Sequence, residues 1–150
     1  MSLLKQIDAD LIKALKSGDK HLALTLRGLK SDIKYFQINN ILSELTDDDI
    51  IKVLTCAAKQ RRDSIEQFTQ GGRDDLVAKE SRELEIIKDY LPEELSPEEI
   101  DRLIRESIAE AGAAGPADMG KVMKAVMPKV KGRADGKAVK DSVTRILSEL

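Results

Sequence analysis

The sequence predicts an all-α protein, and three observations carry that expectation. Helix formers led by Ala, Leu, Lys and Glu dominate the 150 residues. Only four prolines interrupt them, and no segment alternates apolar and polar residues long enough to make a strand. The expected architecture is an N-terminal helical domain over residues 1–92, containing a long helical hairpin, and a small C-terminal three-helix domain over residues 96–150.

Ser2 caps a first helix whose stripe is Leu4, Ile7, Leu11 and Leu15, and Gly18 stops it. Asp19 caps a second helix, in which Leu22, Leu26, Leu29, Ile33 and Phe36 keep helical spacing. Thr46 followed by Asp47, Asp48 and Asp49 is an acidic helix start. It opens a third helix with Leu54, Ala58, Ile65 and Phe68 in line, broken by Gly71 and Gly72. A fourth helix carries Val77, Leu84, Ile87 and Leu91 and ends at Leu91 and Pro92.

The third and fourth helices are expected to fold back as an antiparallel hairpin mirrored about residue 71. Leu54 then faces Ile87, and Ala58 faces Leu84. Continuing the stripes puts Arg61 and Glu80 in positions otherwise filled by apolar residues. They are expected to pair across the hairpin as a structural ion pair, because either charge alone would be costly when partly buried.

Ser96, Pro97, Glu98 and Glu99 read as a capping box with proline at the first helical position, opening the second domain. Its first helix buries Ile100, Leu103, Ile104 and Ile108 and ends in the small residues Ala111 to Pro116. Its second carries Met119, Val122, Met123 and Val126, and Pro128 removes the amide needed to continue much further. Its third, capped by Asp135, presents Val139, Val143, Ile146, Leu147 and Leu150.

Composition narrows the function. An apolar fraction of 41% supports a packed core, and no window approaches a transmembrane helix. A single cysteine forms no internal disulfide, and the N-terminus lacks a basic leader with an apolar run, so a cytoplasmic location is expected. Cys56, beside Ala57 and Ala58, reads as a small buried thiol. His21 has no second histidine or cysteine cluster to complete a metal site. Residues 115–121, GPADMGK, have the spacing of a phosphate-binding loop, but Val122 stands where Ser or Thr is needed and a helix precedes it rather than a strand. Lys59 with Asp63, and Arg62 with Glu66, are spaced as surface ion pairs. No catalytic residue, metal or cofactor is expected.

Charge is the strongest functional signal. Residues 117–150 carry eight cations (Lys121, Lys124, Lys129, Lys131, Arg133, Lys137, Lys140 and Arg145) against Asp118, Asp135, Asp141 and Glu149. That gives a formal charge of +4 in a chain whose total is −2. Lys129, Lys131 and Arg133 crowd a loop containing Gly132, with Gly136 and Lys137 at the next helix start. Loop and helix-start amides can meet a phosphate, and the cations add attraction. Aromatics are absent from this domain, so a folded RNA read by shape and backbone fits better than stacked single strands.

The KQRRDS run at 59–64, YLP at 90–92, and DMGKVM at 118–123 with KGRADGK at 131–137 resemble the YqeY-like proteins. The C-terminal part of that family is similar to the tail of GatB, the B subunit of the glutamine-dependent aminoacyl-tRNA amidotransferase. The resemblance implies a noncatalytic tRNA-binding or tRNA-enzyme accessory protein. By motif it points to Lys121, Lys131, Arg133 and Lys137, with Gly120, Gly132 and Gly136 shaping the backbone. An adaptor for an amidotransferase or synthetase is the alternative. A carbon-nitrogen ligase using glutamine as amido donor is a label the family could pass on, but the large catalytic part of GatB is missing from this chain.

Overall fold

The computed structural model describes residues 2–150, and no strand occurs among them. The described residues form seven α-helices: α1 (Leu3–Ser17), α2 (Lys20–Asn39), α3 (Asp47–Gln70), α4 (Asp74–Lys88), α5 (Pro97–Ala111), α6 (Met119–Val130) and α7 (Gly136–Ser148). A single 3-10 turn, Pro116–Asp118, precedes α6. The chain divides into two compact units, one running to Leu91 and the other from Pro92 to Leu150.

In the first unit the caps follow the sequence. Ser2 Oγ accepts from the Lys5 amide, Asp19 from the Leu22 amide, and Thr46 closes a reciprocal capping box with Asp49. These bonds satisfy amides that would otherwise be orphaned in the first turn. The core joins Ile7, Leu26, Leu29, Ile33, Ile50, Leu54 and Ile87, each 2% exposed or less. Leu15 does not join it and is 50% exposed. Ala14, two turns after Ile7, takes the inward position instead, and the next residue is rotated away by about 100°.

The same rotation corrects Cys56, which is exposed rather than buried. Val53, Leu54, Ala57 and Ala58 face the core, so residue 56 falls on the opposite side of α3. The Lys59–Asp63 ion pair does not form among the described residues, and both side chains are exposed.

The hairpin of α3 and α4 forms, with one correction. Its turn includes Arg73 as well as Gly71 and Gly72, so the mirror passes through residue 72. Gly72 takes the left-handed φ of 70° that closes this turn. Arg61 therefore meets Glu83, with Nη2 3.7 Å from Oε1, and the expected Arg61–Glu80 pair is replaced. Both partners are mostly buried, with side chains 17% and 14% exposed.

Tyr90, just beyond α4, donates its hydroxyl to Asp10 of α1. Burial, then the hydrogen bond to the Asp10 carboxylate, raises its pKa well above the ordinary phenol range.

The second unit is a three-helix core of Ile104, Val122, Val126, Val130, Val139, Val143, Ile146 and Leu147, closed by Leu95. Ser96 caps α5 through the Glu99 amide, with Pro97 in the first turn. Pro128 lies inside α6, which ends two residues later at Val130. Leu150 is 63% exposed and lies outside the core, since α7 ends at Ser148. Asp135 occupies the cap position of α7 in extended backbone, but its side chain makes no capping bond.

Candidate nucleic-acid interface

Six of the eight cations of the tail fall into two sets, and helix faces sort them. Lys129 on α6 turns toward α5, where Nζ bonds both Glu110 carboxylate oxygens at 2.9 Å and Ser107 Oγ at 3.3 Å. Arg145 on α7 also turns toward α5 and bonds both Asp101 oxygens at 2.9–3.0 Å. That carboxylate raises the Arg145 pKa above its ordinary value. Two cations thus neutralise acidic α5 within the unit.

Lys124, Lys131, Lys137 and Lys140 are exposed and make no ion pair among the described residues. Lys124 lies on α6, and Lys131 takes the cap position just after its last residue. Lys137, Lys140 and Thr144 follow spacings of three and four and share one flank of α7. Thr144 Oγ1 lies 3.8 Å from Met119 Sδ at the start of α6, which fixes that flank as the α6 side. Lys137 and Lys140 therefore lie on the α6 side of α7.

The loop from Lys131 to Asp135 joins α6 to α7. Gly132 is buried with φ 74°, a left-handed conformation that glycine adopts without strain. Arg133 Nε donates to the Glu93 carbonyl at 3.0 Å, and the Arg133 carbonyl accepts from the Leu95 amide at 2.8 Å. Beside this clamp α7 begins without a side-chain cap, so its first amides and positive dipole end are open next to Lys137.

Of the residues named from sequence, the structure brings together Lys131, Arg133, Lys137, Gly132 and Gly136. Lys121 and Gly120 sit near the opposite end of α6, about 15 Å along the helix axis from Lys131. Lys121 lies 3.9 Å from Asp118 within its own turn. A Cβ at Gly120 would meet nothing within 4 Å, and one at Gly136 would only touch Met127. Gly132 alone is required by its backbone. Lys124 and Lys140, counted among the tail cations but not named as site residues from the motif, are exposed as well.

Of the titratable groups elsewhere, no cluster of three or more His, Cys, Asp or Glu converges among the described residues. No described helix is long and apolar enough to cross a membrane.

A family model described as a Yqey-like protein matches residues 4–147. "Altered inheritance of mitochondria protein 41, mitochondrial" of Lachancea thermotolerans is 36% identical over 110 residues, 72% of this chain and 59% of that protein. The protein of the same name in Pyrenophora tritici-repentis is 30% identical over 135 residues, covering 88% of this chain and 73% of its own length. That of Clavispora lusitaniae is 37% identical over 107 residues, 71% of this chain and 61% of its own. The matched segments thus span between three-fifths and three-quarters of these relatives. Their names place them in mitochondria, which overturns the cytoplasmic location expected from the N-terminal residues. An address is read by receptors and is not dictated by the composition of a folded domain.

Proposed function

Since this chain belongs to the Yqey-like family, we propose that its C-terminal unit is a noncatalytic module that binds folded RNA, with tRNA foremost, through the phosphate backbone. The observation that carries the reading is a set of four exposed lysines without ion pairs among the described residues, two of which, Lys131 and Lys137, flank the loop into the uncapped start of α7. Side chains that already have carboxylate partners gain little from a phosphate, whereas these four release counterions when they meet one. Two helices joined by a turn suit neighbouring backbone strands, and the unit has no aromatic ring on which to stack a base.

Lys131 and Lys137 hold the centre of this surface, with Lys124 and Lys140 extending it along each helix. Arg133 has a double role. Its Nε holds the Glu93 carbonyl, and its outer guanidinium nitrogens are the ones assigned to a phosphate. Lys121 is peripheral.

Titration of folded tRNA against the protein at low salt tests the reading. Tighter binding than to an unstructured single strand of equal length supports it, and no binding by folded protein rejects it.

A further inference from the structure

Helix α2 is apolar on two opposite faces. Its inner face buries Leu26, Leu29 and Ile33, while half a turn away Leu24, Tyr35 and Ile38 are 66%, 68% and 65% exposed. Leu24, Gly28, Ser31, Tyr35 and Ile38 follow spacings of four, three, four and three, the heptad seam of a coiled coil. A Cβ at Gly28 would meet nothing within 4 Å, so at mid-seam a second backbone can approach closely.

The flanking charges say what that second surface is. Arg27 and Asp32 border the seam on opposite sides, are exposed, and make no ion pair among the described residues. They are five residues apart, the separation at which side chains bordering the seam meet across two parallel helices. An antiparallel pair would instead face each flank with its own copy and set Arg27 against Lys34.

We propose that the outer face of α2 is a self-association surface, on which a second copy of this chain lays its own α2 in parallel about a twofold axis. Arg27 of each copy then pairs with Asp32 of the other. Such a patch is self-complementary, so each dimer contains two equivalent ion pairs. Three large apolar side chains per copy make a small seam beside the roughly 800 Å2 per partner of a standard interface. Association is therefore weak and concentration-dependent.

Sedimentation equilibrium on RNA-free protein, from about 10 μM to about 1 mM, reads the dimer directly. Wild type is compared with Ile38→Asp, Arg27→Glu, Asp32→Arg and the double charge exchange, each checked for helicity. All of these positions face solvent, so the fold is expected to survive. The expected result is a dimer that Ile38→Asp abolishes, that either single reversal weakens by roughly fivefold or more, and that the double exchange restores. A wild type monomeric throughout overturns the proposal, as does a dimer indifferent to Ile38→Asp. Tightening by Arg27→Glu, or no recovery in the double exchange, overturns the parallel arrangement.

Discussion

Arg133 Nε holds the Glu93 carbonyl at 3.0 Å, while the Arg133 carbonyl takes the Leu95 amide at 2.8 Å. One residue of the basic loop thus fastens the segment that leads into α5, so its substitution mixes folding with binding. Arg133→Ala is expected to lower the stability of the C-terminal unit by about 1 kcal/mol through the lost side-chain bond. Lys131→Ala and Lys137→Ala should change it by less than about 0.5 kcal/mol, as exposed residues do. Denaturant unfolding of the three variants checks the contrast.

The glycines of this unit separate by the same method. Gly132→Ala forces a side chain into left-handed backbone at φ 74° and should destabilise by about 1–2 kcal/mol. Gly120→Ala adds a Cβ in open space within α6 and should be neutral or stabilise by about 0.5 kcal/mol. Equal losses at both positions would mean that Gly120 has a backbone constraint absent from this structure.

The register of the α3–α4 hairpin makes a third contrast. Glu83→Ala leaves the mostly buried Arg61 without its carboxylate and should cost about 1–3 kcal/mol, the cost of a buried donor left unsatisfied. Glu80→Ala should cost less than about 0.5 kcal/mol. The reverse order would restore the pairing read from sequence and place the mirror at residue 71.

Tyr90 gives the first unit a dependence on alkaline pH. Its pKa is raised in the folded protein from the ordinary 10.0, first by burial and then by the bond to Asp10. Above about pH 10 the unfolded chain gives up the phenolic proton while the folded one retains it, so stability falls as pH rises. The contribution is complete below the ordinary phenol pKa and is lost as pH climbs through the raised value. Tyr90→Phe should cost about 1 kcal/mol at neutral pH. Unfolding measured between pH 8 and pH 11 should show wild type losing stability faster than this variant.

Four of the five expected caps were legible because they rest on local chemistry: Ser2, Asp19, Thr46 and Ser96 each accept the backbone amide three residues on, whereas Asp135 does not. What the sequence left hidden depends on distant partners. The Arg61 partner shifted by three residues because the turn drew in Arg73, and Cys56 faces outward although its neighbours Ala57 and Ala58 do not. Within the candidate site, the count of cations was plain, but their division was not. Lys129 and Arg145 are occupied by Glu110 and Asp101 of α5, 19 and 44 residues away in the chain. Only the folded unit separates them from Lys124, Lys131, Lys137 and Lys140.

The salt dependence of tRNA binding distinguishes the unpaired lysines from the paired ones. Affinity of wild type and of a Lys131→Ala, Lys137→Ala double variant is to be titrated across a range of salt concentrations, leaving the Arg133 clamp intact. The variant is expected to bind more weakly, with a log–log salt slope flatter by about one to two units, one counterion contribution for each lost phosphate contact. An unchanged slope, or no tRNA binding by folded wild type at low salt, would contradict the proposed interface.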